Sequence, residues 1–334
     1  MDAYLNLSAA DRRIFCEQAA AQMGLPPASI EKDFWVCWTL RELFRLPGWE
    51  DCFSFKGGTS LSKAWGLIER FSEDIDIVID RKFLGFGHEE PSQGQLKKLR
   101  GKCSRKIRDE LLPALKAEFE KALPQDAPWE LRMATKEEDS DEASLIFQYP
   151  GEFHETARYL RPAIKIEMGA RSDAEPSETV PIRSFLCQEF PEQLGDGAFP
   201  VRAVAARRTF IDKFLLLHEE NLRAGEKPRK PQLARHYFDV YSLIERGLAD
   251  EALEDVELFA KVVHHREVFF GYPWMDYSTL KPGSIRIRPS AEDMAGWRGD
   301  YDGMRGEMIY GDPPNFDHIL DIVGRFEDRF NGSE

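Results

Sequence analysis

Apolar and polar positions recur with two different periods along this chain, and the period changes twice. Over the first 50 residues the spacing is helical. Ile30-Glu31-Lys32-Asp33-Phe34-Trp35-Val36-Cys37-Trp38-Thr39-Leu40-Arg41-Glu42-Leu43-Phe44 places apolar residues three and four apart, which predicts an amphipathic helix. Ser8-Ala9-Ala10-Asp11 has the spacing of a capping box, and Pro47-Gly48 predicts a stop. The period then shortens to two. Phe53 to Phe55 predicts a short strand. Ser72 to Asp80 predicts a longer one, because Ile75, Ile77 and Ile79 alternate with other residues. Leu145 to Tyr149 and Ala163 to Met168 predict two more. Between these runs, Leu61 to Arg70 reads as a helix, Gly85 to Gly94 as a loop followed by a helix, and Glu137 to Glu142 as an acidic turn. From about Val201 the helical period returns. Val204 to Leu222, Gln232 to Arg246 and Asp317 to Phe330 predict helices, with breaks at Pro228 and Pro231 and a structured loop from Tyr272 to Pro289. The fold class is therefore α+β: a small mixed sheet with flanking helices over residues 1–200, followed by a mainly helical C-terminal domain over residues 201–334.

Composition narrows this picture. A chain of 334 residues, 42% hydrophobic, can bury one large core or two modest ones. No apolar run approaches the roughly 20 residues needed to span a bilayer; Phe214-Leu215-Leu216-Leu217 is among the longest. The start, Met1-Asp2-Ala3-Tyr4, has no signal-peptide pattern. The cysteines (Cys16, Cys37, Cys52, Cys103, Cys187) lie far apart without paired spacing, against a disulfide framework or a zinc site. These features predict a cytoplasmic protein with no membrane partner. The net charge of −14 argues against broad, non-specific nucleic-acid binding. One local exception exists. Lys97, Lys98, Arg100, Lys102, Arg105, Lys106 and Arg108 follow one another with no acid between them, which is either a solvated helix face or a phosphate-binding surface.

The candidate chemistry lies between Lys56 and Asp80. Strand alternation puts Asp74 and Asp76 on one face with their Cα atoms about 6.5–7 Å apart. Like charges that close resist joint ionisation, and a hard cation such as Mg²⁺ (or Mn²⁺) relieves the repulsion while leaving positions open for phosphate. The plain alternative is an edge strand whose polar face happens to be acidic. Ahead of it stands Lys56-Gly57-Gly58-Thr59-Ser60. Glycines let a backbone approach a phosphate closely, although a simple turn with Thr59 or Ser60 as helix cap would look the same. P-loop spacing is absent. Ile164-Lys165-Ile166-Glu167-Met168 offers Glu167 as a third carboxylate; otherwise Glu167 is a surface partner of Lys165 or another base. Three carboxylates could hold two metal ions.

The blocks Lys56-Gly57-Gly58-Thr59-Ser60-Leu61 and Arg70-Phe71-Ser72-Glu73-Asp74-Ile75-Asp76 resemble the K-G-G-T-x-L and R-x-S-x-D-I-D motifs of AbiEii-like nucleotidyltransferase toxins, in the DNA polymerase β-like nucleotidyltransferase superfamily. Asp212-Lys213-Phe214, Arg235-His236-Tyr237-Phe238-Asp239 and the Ile30–Trp35 segment extend the resemblance over residues 30 to about 245. The resemblance implies that Lys56, Gly57, Gly58, Thr59, Ser60, Arg70, Ser72 and Lys213 meet the nucleotide. Asp74 and Asp76, assisted by Glu167, would hold the metal. Lys213 would meet the triphosphate as a mobile point charge, and Asp239 would be a catalytic carboxylate of the second domain. Glu167 stands where Asp is commoner, and His236 replaces the usual acid after Arg235. The implied activity is transfer of NMP from an NTP to an acceptor, with release of pyrophosphate, by the toxin of a bacterial toxin–antitoxin or abortive-infection system. The implied partners are a separately encoded antitoxin and an RNA acceptor, the tRNA 3′ end. An RNA acceptor predicts basic surfaces, Lys97 to Arg108 and Arg223 to Lys230. The competing readings are nucleotidylation of a protein or small molecule, which the acidity favours, and a non-catalytic partner-binding member.

Overall fold

The structure is a computed structural model that describes residues 1–72, 74–87, 89–139, 143–153, 162–223, 231–309 and 311–332. The acidic stretch from residue 140 to 142 and the basic stretch from 224 to 230 lie outside the described residues. Contacts divide the chain into two compact units. One comprises Met1–Ala64 with Phe71–Val204, the other Trp65–Arg70 with Ala205–Glu334.

The first unit is built on a seven-stranded mixed sheet. Its strands are β1 (Phe53–Lys56), β2 (Ile75–Ile79), β3 (Glu130–Met133), β4 (Ser144–Gln148), β5 (Ala163–Gly169), β6 (Ser177–Ile182) and β7 (Phe199–Val204). They lie in the order β3-β4-β5-β2-β1-β7-β6. β2 runs antiparallel to β1 and parallel to β5, and β7 runs parallel to β1. The central strands are apolar because both faces are covered: in β2, Ile75, Ile77, Val78 and Ile79 are all buried. The helix Pro27–Phe44 is buried along almost its whole length, its Glu31, Lys32, Asp33 and Arg41 included. Its Trp35 and Trp38 join Phe119, Phe147 and Tyr149 in one aromatic cluster, with Trp38 and Phe119 ring centroids 4.6 Å apart.

The basic stretch forms the helix Gln93–Lys106, capped by Ser92 and Gln95 in a full capping box. It continues through a π-turn, Ile107–Leu111, into the helix Leu112–Ala122. Pro113 accounts for the π-turn, because it has no N–H for the carbonyl four residues earlier. Leu96, Leu99, Cys103 and Ile107 face the core, while Lys97, Lys98, Arg100, Lys102, Arg105 and Arg108 are exposed.

The second unit is mainly helical, with helices at Ala206–Leu222, Arg235–Glu245, Leu248–Glu254, Val256–Phe269, Met294–Met308 and Phe316–Asn331. Phe210, Phe214 and Phe326 pack in its core with centroids 5.7 Å apart. The loop expected from Tyr272 to Pro289 is structured by side-chain hydrogen bonds. Tyr237 Oη donates to the Ile287 carbonyl at 2.6 Å, and Glu327 accepts from the Ile287 and Arg288 N–H groups.

Three boundaries differ from the sequence-based reading. The helix expected over Leu61–Arg70 occupies Gly57–Lys63 instead, and Trp65–Arg70 runs on into the second unit, where Arg70 bridges to Ile309. Gly66, at φ +63°, turns the chain at the start of that segment. The strand expected over Ser72–Asp80 pairs only over Ile75–Ile79. The helical pattern expected from Val201 begins at Ala206, because β7 fills the place beside β1. All five cysteines are buried free thiols, and no described helix is long and apolar enough to cross a membrane.

Candidate active site

β1, β2 and β5 are neighbours at the centre of the sheet, and their register sets one row of side chains across it. Lys56 of β1 pairs with Asp76 of β2, Asp76 with Glu167 of β5, and Glu167 with Ser144 of β4. Directly paired residues share a face, so the two carboxylates lie side by side between a lysine and a hydroxyl. Asp74 stands one residue ahead of β2. Continuing the register of Ile75 with Ile166 and Asp76 with Glu167 sets it opposite Lys165. Asp74, Asp76, Lys165 and Glu167 are half-buried.

Gly57 is fixed by Asp76. Its φ is +82°, and a Cβ there would lie 2.0 Å from Asp76 Oδ2. The glycine therefore keeps open the space that the carboxylate occupies. Thr59 and Ser60 are buried, and their hydroxyls serve the backbone. Thr59 Oγ1 hydrogen-bonds to Ser72 Oγ at 2.8 Å and to the Asp74 carbonyl at 2.5 Å; Ser60 Oγ donates to the Gly57 carbonyl at 3.0 Å. Thr59 and Ser72 thus tie the glycine turn to the backbone of Asp74. Lys56 Nζ donates to Ser172 Oγ at 3.2 Å. The far end of the turn is anchored by a pair that sequence reasoning missed. Lys63 and Asp33 meet at 2.6 Å, both buried, and Asp33 also accepts from the Phe185 N–H at 2.7 Å. Only the helical period of both segments hinted at such a contact.

Asp74 and Asp76 are hard oxygen donors, the donor chemistry that a divalent cation takes. Among the described residues no three carboxylates, imidazoles or thiols group tightly enough to hold an ion. Glu167 is turned toward Lys165, 2.6 Å from its Nζ. Burial works against the Lys165 charge, but Glu167, Asp74 and Asp139 outweigh it and hold its pKa above the ordinary value.

The second unit gathers Arg70, Lys213, His236 and Asp239. Asp239 is fully buried. Arg70 grips it with two hydrogen bonds of 2.6 and 2.8 Å, and Lys213 Nζ lies 2.8 Å from its Oδ2. Burial alone would raise the Asp239 pKa, but Arg70 and Lys213 reverse this and hold it far below the carboxylate range. Burial lowers the Lys213 pKa despite Asp239. His236 is pushed well below the usual imidazole range by burial, then by Lys213 and Arg235. It is therefore neutral, and Lys213 Nζ donates to its Nδ1 at 3.3 Å. Lys213 is held rather than mobile.

No curated protein matches this chain. Among solved structures it is similar to MenT4, a nucleotidyltransferase toxin from Mycobacterium tuberculosis H37Rv, at 18% identity and a TM-score of 0.46, over 98% of this chain and 94% of that one. The family described as "Nucleotidyl transferase AbiEii toxin, Type IV TA system" matches residues 38–322, a span that takes in both the Gly57–Asp76 block and the Lys213–Asp239 cluster; this chain belongs to the AbiEii nucleotidyltransferase toxin family.

Proposed function

We propose that this chain transfers the nucleoside monophosphate of an NTP to an RNA 3′ end, most simply that of tRNA, and acts as the toxin of a toxin–antitoxin pair. The observation that carries the reading is the carboxylate row of Asp76 and Glu167 with Asp74 beside it, facing a glycine turn that Asp76 itself requires. In the reaction an acceptor hydroxyl oxygen forms a bond to the α-phosphorus, and the bond from that phosphorus to the pyrophosphate oxygen breaks. Asp74 and Asp76 would hold Mg²⁺ or Mn²⁺, and a divalent cation there would supply charge neutralisation on the phosphates and a more acidic acceptor hydroxyl. Lys56 and the main chain of Gly57-Gly58-Thr59-Ser60 border the phosphates, and Thr59 and Ser72 keep Asp74 in place. In the second unit Asp239 holds Arg70 and Lys213 in position. The exposed cations on Gln93–Lys106 offer the RNA backbone a surface, where Lys97, Lys98, Lys102 and Arg105 lie close in sequence.

A protein or small-molecule acceptor is the second reading, and the net charge of −14 favours it, since most of the surface repels RNA. The test is to incubate the pure chain with each NTP labelled at the α-phosphate, together with total RNA and cell lysate. Label in RNA supports the proposal; label in protein or a small molecule alone replaces it with the second reading.

A further inference from the structure

The notable feature of the carboxylate face is that it already carries a cation of its own. Lys165 and Glu167 alternate on β5, so both point from the same face as Asp76, and β5 is held between β4 and β2 rather than at an edge. Lys165 Nζ sits 2.6 Å from Glu167 Oε1, and the strand register sets Lys165 opposite Asp74. Three carboxylates and one ammonium on this face leave less negative charge than three carboxylates alone would. A second divalent cation would have to displace the lysine or sit beside it, and like charges at that distance repel.

We propose that Lys165 is the resident counter-ion of this face, standing where a second metal ion would neutralise Asp74 and Glu167, so that the site takes one divalent cation and not two. Glu167 then orients Lys165 instead of binding metal. The inference rests on the metal reading above but concerns the number of ions and the role of one lysine. It departs from the expectation that three carboxylates hold two ions.

The experiment is titration of the full-length chain with Mn²⁺, followed by calorimetry and by the electron paramagnetic resonance of unbound Mn²⁺. Wild type and Lys165→Arg should each bind one ion. Lys165→Gln should gain a second site, or tighten the first by about tenfold, as loss of a nearby positive charge requires. Glu167→Gln should keep the single site. Circular dichroism confirms that each variant is folded, and Lys165→Arg guards against a packing effect at that position. Two ions on wild type, an unchanged titration in Lys165→Gln, or loss of the site in Glu167→Gln each overturn the inference while leaving a metal site in place. No Mn²⁺ binding by either wild type or Lys165→Gln overturns the metal reading, and the counter-ion with it.

Discussion

At the scale of single residues, the decisive contacts are between groups far apart in sequence. Asp76 and Gly57 constrain each other. Asp76→Ala should abolish nucleotide transfer while leaving circular dichroism unchanged, since the change removes a charge from a half-buried acidic row. Wild-type transfer by that variant would end the proposal. Gly57→Ala must push its Cβ against Asp76 Oδ2 from a positive φ; it should cost about 1–3 kcal/mol of stability and most of the activity. Asp239 has the opposite character. It compensates two buried cations, so Asp239→Ala should destabilise the second unit by about 3–5 kcal/mol, read from urea unfolding. Glu31 gives a pH dependence. Burial raises its pKa from 4.5 to about 7, although the N–H groups of Glu152 and Phe153 favour its charge. The folded state therefore holds a proton on Glu31 that the unfolded state has released, and Glu31 weakens stability as pH rises from about 4.5 to 7. Glu31→Gln lacks that slope, so the stability gap between wild type and variant should narrow from pH 5 to pH 8 in paired urea titrations. A constant gap would refute the shift.

At the scale of elements, the helix Gln93–Lys106 and the helix Pro27–Phe44 show how far a periodic pattern can be read. Both were legible, because an apolar stripe at helical spacing is a local property. For Gln93–Lys106 the pattern also separates the buried Leu96, Leu99 and Cys103 from an exposed basic face. If that face carries RNA, reversing Lys97, Lys98 and Arg100 to Glu should suppress transfer to RNA and flatten its salt dependence, with NTP affinity unchanged in calorimetry. Equal loss of NTP affinity would mean a damaged site rather than a lost acceptor surface. The strands were read less well. β1, β2, β4 and β5 were visible, whereas β3, β6 and β7 were not. Glu130–Met133 is short, Ser177–Ile182 contains Pro181, and Phe199–Val204 runs almost directly into the helix at Ala206. Each becomes a strand by pairing with a neighbour, and neighbours are not encoded in a local period.

At the scale of the whole molecule, membership of a nucleotidyltransferase toxin family stands beside a net charge of −14. Expression of the wild-type chain in a bacterial host without its antitoxin should arrest growth, and Asp74→Ala with Asp76→Ala should relieve the arrest at equal protein level. Arrest that persists in the double variant would place toxicity outside the carboxylate row.

The sequence by itself determined the α+β class, the long helices, four of the strands and the family, because periodicity, glycine pairs and short motifs are properties of neighbouring residues. Only the tertiary structure decided three matters. It set Glu167 beside Asp76 and then turned it to Lys165. It gave Gly57 its reason in the Asp76 carboxylate. It moved Arg70, which the motif groups with Ser72 and Asp74, into a buried clamp on Asp239 in the other unit. The physical reason is common to all three: a buried or half-buried charge must find a partner when it leaves water. Which partner it finds depends on what the fold brings within about 3 Å, and that distance is fixed by strand register and helix packing rather than by spacing along the chain.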